Sequence, residues 1–205
     1  MTPELTHYLR SWLRLSDVAQ DVESEAAFEW FAAVTAWTGR QKTNSDRGND
    51  GLLTQADARP YLHFGLLLHL ATIDPRFFDL AKRMTARTIS RGKHPHDMYC
   101  LLAANLLEAE PPKQGQTKGA LARDVACILG VAVATNMGLR PLQGDRGVAG
   151  PRSGCAKLVE RVGKLGSGGF SYGMAESAWR DKEQRLSAAG FDETEVSEFF
   201  SEFDV

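Results

Sequence analysis

The segment TKGALARDVACILGVAVATNMG, residues 117–138, sets the fold class. Thr117 is placed to cap a helix, and Leu121, Val125, Ile128, Leu129, Ala132 and Val133 follow at helical spacing. That spacing lines up side chains on a cylinder; a strand would alternate them across two faces. Gly138 stands where such a helix stops, because glycine enters the left-handed conformation at low cost.

The same grammar recurs along the chain. Thr2-Pro3 reads as a cap with proline at the first helical position, followed by Leu5, Tyr8, Leu9, Trp12 and Leu13. Ser24 caps a helix with Phe28, Phe31, Val34 and Thr35 on one face, Trp30 and Trp37 on its flanks, and Gly39 as its stop. Pro60 marks the start of a nearly continuous apolar run, Tyr61 to Ala71, expected of a central helix. Asp74-Pro75 opens a helix through Phe77, Phe78, Leu80 and Ala81, and His94-Pro95 opens another through Leu106 and Leu107. Ser153 and Ser171 begin two more, the second carrying Met174, Ala175, Ala178, Trp179 and Leu186 up to Gly190. Asp192 caps a last, acidic helix with Phe199, Phe200 and Phe203.

No stretch alternates over a useful length, and no repeat of about 20–50 residues is present. The expectation is an all-α bundle of about eight helices. Its polar loops are RQKTNSDRGNDG (40–51) and LRPLQGDRGVAGPR (139–152), and PPKQGQ (111–116) is the best linker. Three parts follow: a helical scaffold or partner-binding part over 1–112, a basic helical part over 113–190 and an acidic aromatic tail over 191–205.

Composition agrees with an ordinary globular chain. Its 205 residues suffice for one large domain or two small ones, and 43% hydrophobic against 24% charged residues excludes a disordered protein. No apolar run approaches the roughly 20 residues of a membrane span, so no membrane partner is expected. The start, MTPELTHYLRSWLR, lacks the apolar core of a signal peptide. Cys100, Cys127 and Cys155 are odd in number and form no CxxC pair, which argues against a disulfide framework or zinc finger and for a reducing cytoplasm.

Charge is segregated. Residues 113–190 carry 12 Lys+Arg against 6 Asp+Glu, whereas residues 191–205 carry 6 Asp+Glu and no cation. A basic part beside an acidic tail is a pattern of polyanion binding.

The segment CAKLVERVGKLGSGGFSYGMAESAWRDK (155–182) fits that idea. A helix-turn-helix needs a supporting helix, a turn, and a second helix offered to the DNA major groove. Ala156, Leu158, Val159 and Val162 form the supporting face, Phe170 locks the turn and Ser171 caps the second helix. Met174, Ala175, Ala178 and Trp179 point inward; Tyr172, Gly173, Glu176, Ser177 and Arg180 point outward. Ser171 and Tyr172 suit phosphate, Arg180 suits phosphate or guanine, and Lys157, Arg161, Lys164, Lys182 and Arg185 supply salt-sensitive backbone contacts.

FSYGMAESAWR resembles the second helix of bacterial helix-turn-helix domains, in which a Ser-x-x-x-apolar-x-x-x-Trp-Arg pattern is known. The wider stretch Ala120–Arg185 is similar to the C-terminal region of uncharacterised helical proteins of bacterial genomes, phages and plasmids, on the residues CAKLVERVGKLG and SYGMAESAW. The resemblance implies a non-enzymatic, nucleic-acid-associated regulator from a mobile element, with DNA as partner. The connector Gly163–Gly169 is longer than the 3–4-residue turn of that motif.

Other signals are weaker. HPHD (94–97) has no second ligand group at metal spacing, since His63 and His69 fall on different sides of a helix. DRGNDGLLTQAD (46–57) echoes a calcium loop, but Gly48 replaces a ligand and Asp57 stands where a bidentate Glu belongs. GKLGSGG lacks the preceding strand and following Lys-Ser or Lys-Thr of a phosphate loop. No cofactor, metal or catalytic constellation is therefore expected. The tail DETEVSEFFSEFDV (192–205) has two readings: an amphipathic closing helix, or a partner-binding segment working through Phe199, Phe200 and Phe203. The second makes the protein a helical interaction module, such as a phage-encoded inhibitor of a host complex. An uncharacterised enzyme is the third alternative.

Overall fold

The computed structural model describes residues 25–40, 60–90, 104, 106, 111, 118–142, 153–166 and 169–201. Its regular elements are all α-helices: α1 (Glu25–Arg40), α2 (Pro60–Ile73), α3 (Pro75–Ser90), α4 (Lys118–Asn136), α5 (Gly154–Lys164), α6 (Tyr172–Arg180), α7 (Lys182–Ala188) and α8 (Glu193–Ser201). The protein is all-α. The expected helix starts at Thr2 and His94, the loops near 40–51 and 46–57, and Phe203 lie outside the described residues.

The chain forms two compact units that interleave in sequence. One takes Met1–Arg14 with Arg59–Gly119, the other Leu15–Ala58 with Ala120–Val205. A cut at residue 112 would leave α1 with the N-terminal part, whereas its contacts group it with the C-terminal helices.

In the first unit α2 and α3 pack on each other across a one-residue corner. Leu66, Leu67, Leu70 and Ala71 of α2 are buried, as are Phe77, Phe78, Leu80 and Ala81 of α3. Asp74 makes the corner. It is 1% exposed, accepts the Arg76 backbone N–H at 2.9 Å and binds the Arg76 guanidinium at 2.6 Å. A carboxylate at a helix start satisfies free N–H groups there and complements the helix dipole.

In the second unit α4 is central. Ala122, Val125, Cys127, Ile128, Leu129, Val131 and Val133 point in different directions around its axis, and each is at most 1% exposed. A helix apolar on all sides must be covered on all sides. Two glycines let the covering helices come close. A β-carbon at Gly130 would stand 3.2 Å from both Phe31 Cβ of α1 and Leu158 Cδ1 of α5. One at Gly154 would stand 3.2 Å from the Val131 carbonyl oxygen and 3.3 Å from Ala134 Cβ. Ser153 caps α5 by accepting the Ala156 N–H at 3.2 Å, and the Gly154 N–H donates to the Arg140 carbonyl at 2.7 Å.

Glycine stops act as expected at two ends. Gly138 has φ 89° and Gly190 φ 91°. At α4 the Gly138 and Leu139 N–H groups return to the carbonyls of Thr135 and Ala134; at α7 those of Gly190 and Phe191 return to Ser187 and Leu186. Both are the paired-bond closure that satisfies the last carbonyls of a helix. Gly39, read as a stop, lies inside α1 instead. The single helix expected from Ser171 to Gly190 is bent at Asp181 (φ −98°, ψ 21°) into α6 and α7.

The glycines predict opposite effects of one type of change. Gly154→Val forces a branched side chain into the Val131 backbone and should cost about 1–3 kcal/mol. Gly163 is exposed on α5, with open space where a β-carbon would go. Gly163→Ala should therefore add about 0.5–1 kcal/mol. Urea unfolding at constant slope checks both.

Candidate binding surfaces of the C-terminal helices

The Ser171 hydroxyl accepts the Met174 N–H at 3.4 Å and opens α6 as the N-cap. One face is sealed: Ala175 and Ala178 are fully buried and Trp179 is 5% exposed. Ser171, Gly173, Ser177 and Arg180 face solvent, while Tyr172, Met174 and Glu176 are half-buried. Ala175, Ala178 and Trp179 thus face inward and Gly173, Ser177 and Arg180 outward as read from the sequence, whereas Met174, read as inward, and Tyr172 and Glu176, read as outward, are half-buried. Leu158 and Val162 support α5 from below as expected, with Ala156, Val159 and Phe170 only half-buried. The helices α5 and α6 pack on each other, but the link from Leu165 to Ser171 is not the short turn of a helix-turn-helix.

The cations assigned to nucleic acid are engaged within the chain. Arg161 Nε donates to Glu29 of α1 at 2.6 Å, and Lys157, one turn earlier, bonds Glu25 at 3.0 Å. These two rungs follow the same order along α1 and α5. Lys157 also lies 4.6 Å from the Phe28 ring centroid. Lys164 pairs with Glu160 at 2.8 Å, and Arg180 with Glu176 at 2.7 Å. Lys182 sits over the rings of Trp179 and Phe200, at 5.5 and 5.2 Å. Such rim pairs are each worth well under about 1 kcal/mol, so they do not lock the cations. The carboxylate partners offset the charges of Lys157, Arg161, Lys164 and Arg180, while Lys182 against its two rings keeps its own.

A deeper tie joins three helices. Asp124 of α4 is 5% exposed and accepts two guanidiniums, Arg123 at 2.9 Å and Arg185 of α7. Arg185 also binds Asp181 and the Ser177 hydroxyl of α6, each at 2.9 Å. Burial works against the Arg185 charge, but Asp181 and Asp124 outweigh it and hold the group charged above its ordinary range. This pull on Asp181 accompanies the bend between α6 and α7. The sequence reading missed the tie, although the Arg123-Asp124 pair inside the apolar run of α4 was its signal.

Two of the three tail aromatics read as contact residues, Phe199 and Phe200, pack against the body, and Phe203 lies outside the described residues. Phe200 is fully buried and Phe199 is 8% exposed. The Phe200 ring meets Trp179 edge-on at 5.5 Å and Phe199 at 4.7 Å. They hold α8 to the body because burying them removes large apolar surfaces from water. Two amides, of Thr194 and Glu195, donate to the Asp192 carboxylate, which caps α8 as expected. Its outward side shows Glu193, Thr194, Ser197, Glu198 and Ser201. No ion pair joins Glu193 or Glu198 among the described residues.

Cys127 and Cys155 are free thiols buried in the core. Burial pushes Cys127 well above its ordinary value and Cys155 up to about 12. Among the described residues no group of three or more His, Cys, Asp or Glu is placed to hold a metal ion, and no helix is long and apolar enough to cross a membrane. Comparison of the chain with known protein families, curated proteins and solved structures found no match.

Three outcomes follow from this geometry. Arg185→Met strands the Asp124 carboxylate with one partner and should cost about 2–4 kcal/mol in chemical denaturation. Lys164→Met, at a side chain 63% exposed, should change stability by less than about 0.5 kcal/mol. In a Cys100→Ser background, Cys127 and Cys155 should resist an aromatic disulfide reagent at neutral pH and react stoichiometrically in denaturant, because a protonated, buried thiol is a poor nucleophile.

Proposed function

We propose that the chain is a helical protein-interaction module that presents the outward carboxylates of α8 to a cationic protein surface. One observation carries this reading. The cations between residues 153 and 190 are spent on internal partners, whereas Glu193 and Glu198 face solvent without a paired cation among the described residues. The potential this region offers a partner is negative, which favours a basic surface and repels a polyanion. Val196, Phe199 and Phe200 anchor α8 from beneath, so its acidic side comes on a fixed support. A surface already ordered loses less freedom on binding.

A nucleic-acid-associated regulator is the second reading. The open outer face of α6 favours it, with Ser171 at its start and Arg180 62% exposed. Against it stands the charge along that face. Residues 171–188 hold Arg180, Lys182 and Arg185 against Glu176, Asp181 and Glu183. A phosphate approaching Arg180 meets Glu176 in the same place, so little net counterion release remains to drive binding.

One pair of measurements decides between them. The wild-type chain should be retained on an immobilised lysine-rich helical peptide. The Glu193→Gln/Glu198→Lys variant should elute at lower salt, with the loss of the helix-start charge costing no more than about 1 kcal/mol of stability. Duplex DNA should show no retardation between about 50 and 200 mM salt. Equal retention of the two chains defeats the first reading. DNA retardation that disappears on combining Arg180→Ala with Lys182→Ala establishes the second.

A further inference from the structure

We draw no further inference here: the strongest candidate, the side-chain cluster of Arg123, Asp124, Ser177, Asp181 and Arg185 between α4, α6 and α7, belongs to the interhelical tie already described, and nothing on it points to a ligand.

Discussion

The second unit depends on how closely two helices reach α4. At Gly130 the missing side chain lets Phe31 and Leu158 meet the α4 backbone, and at Gly154 α5 settles against Val131 and Ala134. These contacts fix the depth at which α1 and α5 sit. The rest follows: Leu158 and Val162 reach the core, α6 docks on α5, and Trp179 comes where Phe200 can close over it. Close-packed interiors punish displacement by even one methyl group. The glycines are thus packing residues here, unlike Gly138 and Gly190, which serve the backbone at φ near 90°.

Above that core, charge is arranged to cancel. Counted along the chain, residues 113–190 are strongly basic. In space, α1 brings Glu25 and Glu29 to Lys157 and Arg161, from partners 132 positions away in sequence. Glu160 and Glu176 neutralise Lys164 and Arg180 from one turn earlier on their own helices. Segment charge is a poor guide to surface potential when a distant helix supplies the counter-charges. The tail differs because its own segment holds no cation.

What was legible divides along the same line. Caps and stops are local, and they read well: Asp74-Pro75, Ser153, Ser171, Asp192, Gly138 and Gly190 all act where the sequence places them. Apolar spacing gave the central helices and the inward face of α6, because burial on a cylinder imposes its period on the residues. The bend at Asp181 was not legible, since the hydrogen-bond ladder passes through it and Arg185 draws the Asp181 carboxylate aside. Of the candidate contacts, Phe199 and Phe200 read either as anchors of a closing helix or as bait for a partner. Only the presence of Trp179 beneath them separates the two.

The interleaving of the two units has a consequence for how the protein is made. Glu25 cannot find Lys157 until 132 further residues have left the ribosome, an interval on the order of ten seconds at typical elongation rates. Through that interval Phe28 has no Lys157 over its ring, and for most of it Phe31 has no Gly130 to pack against. The nascent chain must carry an aromatic helix in waiting while the α2–α3 pair, whose contacts are local, closes early. Synthesis therefore leaves the apolar side of α1 open to chaperone holdases until α4 and α5 have emerged.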